Sequence, residues 1–400
     1  MDFKFSTDDE SFRQEVRSFI RANLPQDIAQ DVSRWFNPRM RNYRRWQRIL
    51  SDRGWGAPHW PPEYGGTDWS AIRRHIFMQE VYAADAPDFA WQGTHMLAPV
   101  LIAFGAEELK ARFLPKILSG EEIWCQGFSE PGAGSDLANL KTAAVLEGDH
   151  YVINGQKIWT SDAADADWGF FLVRTDGTVK PQRGLSFLLV KMDAPGITVR
   201  PIRSIDGRQE LNEVFLDNVR VPRAHLVGQA GQGWTYAKYL LEKERTASAY
   251  VYFNRQELER AKAIAREVRV AGGRLIDDPP FALKVARVEA DLLALEWSVL
   301  RILGGEPNRY NLDAVVSALK IRGSEMQQRV TELQIDALGA LCARHFVRGD
   351  PAIDDPQRCA NWPEYSIGPS SSFLFHRATT IYGGAREVQK NIIAKLQFGS

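Results

Sequence analysis

The sequence predicts an α+β protein in which a sheet domain separates two helical domains. Three observations carry that prediction. Apolar residues recur at helical spacing over residues 8–120; short β-rich runs punctuated by turn residues replace that pattern over 122–233; helical spacing returns from Trp234 onward. Few folds split their helices around a central sheet in this order. The expected domains are therefore an N-terminal helical domain at residues 1–121, a central β-barrel-like domain at 122–233 and a C-terminal helical bundle at 234–400. A chain of 400 residues is also longer than one compact core usually supports.

In the first domain Phe12, Val16, Phe19 and Ile20 fall on one helical face, and Ile72, Ile76, Met78 and Val81 suggest another helix. In the second, the runs Tyr151-Val152-Ile153-Asn154-Gly155, 169–173 and 185–190 read as strands. In the third, long helical segments are interrupted over residues 348–372, where Pro351, Pro356, Trp362 and Pro363 stand. That stretch reads either as a loop at an interface or substrate mouth, or as a solvated surface excursion.

Composition narrows the function. The 50 basic and 50 acidic residues balance, which argues against a partner found by bulk charge, such as nucleic acid or an anionic membrane. The three cysteines, Cys125, Cys342 and Cys359, are too scattered for a disulfide framework or a zinc cluster, and a reducing cytoplasm is expected. Residues 1–12 lack the basic flank and apolar run of a signal peptide, and no stretch approaches the roughly 20 apolar residues that span a bilayer. A soluble protein is expected. The seven histidines show no metal-ligand spacing, and none is assigned to a metal.

The chemistry begins at Gly127-Phe128-Ser129-Glu130-Pro131-Gly132-Ala133-Gly134-Ser135-Asp136. Two glycines beside a proline, followed by a hydroxyl and a carboxylate, describe a tight loop with exposed backbone N–H groups, suited to phosphate or cofactor oxygens. It is neither a G-x-G-x-x-G fingerprint nor a P-loop. Taken alone it is equally a structural turn.

Two further segments make the pattern specific. Asn154-Gly155-Gln156-Lys157-Ile158-Trp159-Thr160-Ser161 follows in the same domain, and Ile381-Tyr382-Gly383-Gly384-Ala385-Arg386-Glu387-Val388-Gln389 lies near the C-terminus. In order and separation the three resemble the signatures of the FAD-dependent acyl-CoA dehydrogenases, over nearly the whole chain. The resemblance implies that fold, an acyl-CoA substrate, and FAD as the cofactor. It implies that backbone groups of Phe128 and Ser129 bond the isoalloxazine ring and that Trp159 covers one flavin face. Ser161 would bond near N5, while Gly134 and Ser135 line the cofactor and CoA loop. Tyr382, Gly383, Ala385 and Glu387 would belong to the C-terminal part of the cofactor and substrate site. For Trp159 the competing reading is ordinary core packing.

Dehydrogenation of a thioester to the trans-2-enoyl product needs a carboxylate to take the α-proton while the flavin takes the β-hydrogen as hydride. Many members of the family carry that carboxylate between the tyrosine and the next glycine of the C-terminal signature, where this chain has Gly383. The resemblance includes a second arrangement, with the glutamate on the first long C-terminal helix, and here Leu241-Glu242-Lys243-Glu244-Arg245 stands. Glu244 is thereby the expected base and Arg245 a thioester or CoA contact. Glu242, roughly 200° away around a helix, is better read as a CoA contact. Gly383 could still polarise the thioester carbonyl through its backbone N–H. Without the resemblance, the segment would be a solvated charge run.

Homotetrameric members usually carry two motifs that reach a neighbouring subunit's flavin. Here those regions read Arg274-Leu275-Ile276-Asp277-Asp278-Pro279-Pro280-Phe281, and Gln334-Ile335-Asp336-Ala337-Leu338-Gly339-Ala340, so Arg274, Gln334 and Gly339 are the surviving candidates. The erosion implies a tetramer in which an unlike subunit completes the flavin site, as in bacterial members acting on steroid side-chain or dicarboxylyl-CoA thioesters, with an electron-transfer flavoprotein as acceptor. Three alternatives remain: a flavin-holding subunit without chemistry, an oxidase, and a nucleic-acid-binding relative. The last would use Arg34, Arg39, Arg41, Arg44, Arg45 and Arg48 with Trp35, Tyr43 and Trp46. Trp91, Thr94, His95 and Leu97 are the candidates for the acyl pocket.

Overall fold

The computed structural model describes residues 5–243, 249–270, 272–304, 311–353 and 362–399. The N-terminal helices are α1 (Thr7–Asn23), α2 (Gln26–Arg34), α3 (Met40–Asp52), α4 (Ala71–Ala83), α5 (Ala98–Phe104) and α6 (Glu107–Leu118). Helix α1 starts where Ser6 caps the N–H of Asp9, and acidic residues fill the positive end of its dipole. Its Phe12, Val16 and Ile20, four apart, are buried against Trp46, Trp55, Ile76, Phe77 and Val81. A π turn, Gln92–Leu97, runs directly into α5.

The central domain is one curled sheet. Its strands are β1 (Trp124–Gly127), β2 (Ala143–Glu147), β3 (His150–Lys157), β4 (Trp168–Arg174), β5 (Leu185–Lys191), β6 (Ile197–Ile202) and β7 (Leu211–Pro222). They lie in the order β1-β4-β2-β3-β7-β6, with β5 paired to β4. Strands β4 and β5 read as continuous apolar runs because both of their faces are covered. Phe170, Leu172, Phe187 and Leu189 pack with Leu97, Leu101 and Phe113 of the first domain, while Phe171, Val173, Leu188 and Val190 face Val214 and Val219 of β7. Gly155 sits at a register shift between β3 and β7, where a Cβ would lie 2.7 Å from the Cα of Thr142.

The C-terminal domain holds α7 (Gly233–Lys243), α8 (Val251–Glu267), a short hairpin of β8 (Arg269–Val270) and β9 (Gly273–Arg274), then α9 (Pro279–Leu303) and α10 (Leu312–Leu338). Helices α8, α9 and α10 share one core through Leu258, Leu292 and Val330. The end of the 348–372 stretch is not a solvated excursion. It forms α11 (Pro369–Phe375), whose Ser370, Ser371 and Ser372 are buried. Helix α12 (Arg386–Phe398) lies against α10 with no buried residue of its own.

Candidate active site

The glycine-rich loop is a tight turn in which Glu130 and Ala133 exchange backbone hydrogen bonds of 3.0 Å. Neither Gly132 nor Gly134 has a left-handed backbone, and a Cβ at either would meet nothing within 4 Å. Glycine here leaves the backbone open to an approaching group rather than permitting a bend. Gly134 and Ser135 are exposed. The carbonyls of Phe128 and Ser129 each accept one hydrogen bond inside the chain, Phe128 O from Lys157 Nζ at 3.1 Å and Ser129 O from Ile158 N at 2.9 Å, which leaves each a second lone pair. The Phe128 side chain is buried edge-on against Phe170 and Phe187.

Lys157 and Glu130 are residues the sequence reading did not single out. Lys157 is fully buried and donates to Phe128 O, to Glu130 Oε1 at 2.8 Å and to Leu172 O at 2.7 Å. Glu130 also accepts from the backbone N–H groups of Lys141 and Thr142. Burial draws the Lys157 ammonium down to about 8, against the pull of Glu130. The pair fastens the first motif to the second.

Directly after this bolt β3 ends. Trp159 is 56 % exposed and held at φ +60°. Core packing is thereby excluded for it. A left-handed backbone on a bulky residue costs on the order of 1–3 kcal/mol and collects at ligand sites. Beside it, Thr160 is buried with its Oγ1 unpartnered, and Ser161 lines a cavity. An open glycine loop and, just after β3, a strained exposed indole and an orphaned hydroxyl together fit a flat, polar-edged ring such as a flavin.

The cavity has a volume of about 650 Å³ and all three domains build it. The first domain supplies Trp91 and His95, from the candidate pocket residues, together with His59, Tyr43, Tyr82 and Asp88; Thr94 and Leu97 are buried behind them. Asp162 and Glu210 come from the sheet domain, and Tyr250, Tyr252, Phe253 and Leu303 from the C-terminal one. Gln92 Nε2 donates to Asp162 Oδ2 at 3.1 Å, tying the π turn to the turn that holds Ser161. Burial, then the nearby charges of Glu210 and Asp165, push the Asp162 carboxyl up to about 7. Burial likewise raises Asp88 to about 6.

The C-terminal signature is exposed from Ile381 to Gly384. Gly383 has φ +64°, and a Cβ there would meet only the Tyr250 hydroxyl, at 3.8 Å. The room vacated by the missing carboxylate opens on a residue of the cavity wall. Ala385 caps α12, and Glu387 lies exposed in its first turn. Glu242 lies in α7. Glu244 and Arg245 lie outside the described residues.

The candidates for contact with a neighbouring subunit separate. Arg274, on β9, and Gly339, after α10, are exposed. Gln334 is buried, and its amide donates to both the backbone carbonyl and Oε2 of Glu257 at 2.9 Å. It joins α10 to α8 and is not placed to reach another chain. The basic-aromatic cluster is largely paired within the chain. Trp35 and Trp46 are buried, and Arg34, Arg44, Arg45 and Arg48 pair with Glu364, Asp167, Asp27 and Asp52. Among the described residues no cluster could hold a metal ion, and no helix is long and apolar enough to cross a membrane.

Fold and site together describe a three-domain protein with an open glycine-rich loop on its sheet domain and a cavity of about 650 Å³ lined by residues of all three domains. Sequence profiles for the N-terminal, middle and C-terminal domains of acyl-CoA dehydrogenases match residues 6–121, 125–219 and 231–397. The chain is 37 % identical to the acyl-CoA dehydrogenase IpdE1 of Mycobacterium tuberculosis, over 98 % of each chain. Among solved structures it resembles the ChsE4-ChsE5 complex from M. tuberculosis, with TM-score 0.82, 31 % identity, and 100 % and 99 % of the two chains covered. The Tcur3481-Tcur3483 steroid acyl-CoA dehydrogenase gives TM-score 0.83 at 27 % identity, covering 100 % and 99 %. The chain belongs to the acyl-CoA dehydrogenase family, and acyl-CoA dehydrogenation is its reaction class. Its members are flavoproteins, which implies FAD.

Proposed function

We propose that this chain oxidises an acyl-CoA thioester to the trans-2-enoyl-CoA, with Glu244 taking the α-proton. One observation carries the reading: Ser161, beside the exposed Trp159, and Tyr250, beside Gly383, line the same cavity. FAD held against Trp159 and Ser161 would supply the hydride acceptor, so the acyl chain must lie between that segment and the C-terminal helices. The Gly383 N–H is the backbone donor for the thioester carbonyl, lowering the cost of the developing enolate. Glu244 is the carboxylate that replaces the one absent at 383. Glu242, Arg245 and Ser135 contact the CoA portion.

The substrate is a bulky, polycyclic acyl-CoA of the steroid-derived kind, and an unlike subunit completes the assembly. The cavity volume and the likeness to two structures, a two-component complex and a steroid dehydrogenase, support this. Arg274 and Gly339 remain outward for such a partner, whereas Gln334 is committed internally. An electron-transfer flavoprotein is the proposed acceptor. Purification alone and with candidate partner chains, followed by FAD quantification and anaerobic addition of polycyclic acyl-CoA thioesters, tests both parts. Flavin bleaching only in the mixed complex is expected. Stoichiometric FAD and full activity in the isolated chain would overturn the unlike partner, and no bleaching in any combination would overturn the dehydrogenase.

A further inference from the structure

One wall of the cavity carries hydrogen-bonding chemistry that α,β-dehydrogenation does not use. The six-residue π turn brings Trp91 and His95, four apart, into a parallel stack 4.0 Å between centroids with 4° between planes. His59 stacks on the other face of His95 at 3.9 Å. Both imidazoles are neutral: burial pulls His59 down to about 4 and His95 well below its ordinary value.

The tautomers follow from their partners. Thr94 Oγ1 has one hydrogen and donates it to Ala90 O at 3.0 Å. Its 2.9 Å contact with His95 Nδ1 therefore requires the hydrogen to sit on Nδ1. That leaves Nε2 as a lone pair in the cavity wall, and no described residue hydrogen-bonds it. His59 Nε2 must donate to Thr94 O at 3.0 Å, so its Nδ1 is likewise a lone pair. The nearby hydroxyls do not reverse the pattern, because Tyr43 donates to Asn37 Oδ1 at 2.8 Å and Tyr82 to Asp88 Oδ2 at 2.9 Å.

We propose that His95 is a specificity-determining residue whose Nε2 accepts a hydrogen bond from a hydroxyl group on the acyl portion of the substrate. The proposal deepens the dehydrogenase reading and rests on it for the identity of the thioester. A ring hydroxyl meets a fixed, neutral acceptor on a flat aromatic wall. A ketone at the same place meets lone pair against lone pair, and a ring without oxygen leaves Nε2 unpaired.

Binding separates the proposal from the reaction. Calorimetry compares three enoyl thioesters that need no oxidant: 3-cyclohexylprop-2-enoyl-CoA and its 4-hydroxy and 4-oxo ring derivatives. The wild-type protein should bind the hydroxy compound roughly tenfold more tightly than the other two. His95→Phe keeps a flat ring in the stack and should abolish that preference. Thr94→Val frees Nδ1, lets the hydrogen move to Nε2, and should shift the preference toward the 4-oxo compound, which a loss of packing alone would not do. Equal affinities in the wild type, or a hydroxyl preference that survives in His95→Phe, overturns the proposal. Turnover of saturated 3-cyclohexylpropanoyl-CoA is measured separately, and its absence counts against the dehydrogenase reading without touching the binding comparison.

Discussion

The loop of the sheet domain and the signature before α12 are both glycine-rich, yet the chain holds them in opposite ways. The first is bolted from below: Lys157 spans Phe128 O, Glu130 and Leu172 O in the interior, and Glu130 clamps two backbone N–H groups. The second is exposed, its Gly383 and Gly384 are left-handed, and the helix that follows has no buried residue. The sheet side is thus shaped by the chain itself before any ligand arrives. The helical side presents backbone whose surroundings a substrate or another subunit must complete.

That contrast can be broken experimentally. Lys157→Met leaves the Glu130 carboxylate buried without its partner and should cost about 3–5 kcal/mol of stability, with loss of bound FAD. Denaturant titration and flavin absorbance check this, and a wild-type midpoint would mean that the bolt holds nothing. Trp159→Gly should behave differently. It relieves the φ +60° strain, so the flavin-free protein gains up to about 1 kcal/mol, while FAD affinity falls about tenfold or more. Unchanged FAD binding would remove Trp159 from the cofactor site.

A pH experiment sharpens the same comparison at the cavity. The folded protein holds the Asp162 proton up to about 7, whereas an unfolded aspartate releases it near 4. The folded state thus binds more protons across that window, and this group's contribution to stability falls as pH rises from about 4 to 7. Asp162→Asn should flatten that part of the stability curve, and an unaltered slope would contradict the assignment. The smallest expected effect is at Glu242: Glu242→Gln should raise KM about threefold to tenfold with kcat little changed, since a contact to the CoA portion contributes to binding rather than to the chemical step.

Much of the architecture was legible in the sequence because periodicity reports burial. The spacing of Phe12, Val16 and Ile20 and the unbroken runs in β4 and β5 are direct imprints of one covered face and of two. The two sheet-domain motifs were legible too, but not the bolt between them, because Lys157 and Glu130 look like surface charges until the fold buries both. The outward turn of Trp159 was similarly hidden, since indole and core usually go together. The histidine wall depends on a π turn that no apolar pattern announces. Gln334 stood in a position that resembled a subunit contact, and only the packing of α8 on α10 reveals that its amide is spent on Glu257.

The central claim is that the reactive carboxylate is Glu244, with Gly383 reduced to a backbone donor. Exchange of the substrate α-proton in D2O, followed by NMR on the flavin-loaded complex with a bound thioester, tests it most directly. Glu244→Gln should keep its FAD and lose exchange and turnover by about 10²–10⁴-fold. Exchange at the wild-type rate in that variant would place the base elsewhere and contradict the account.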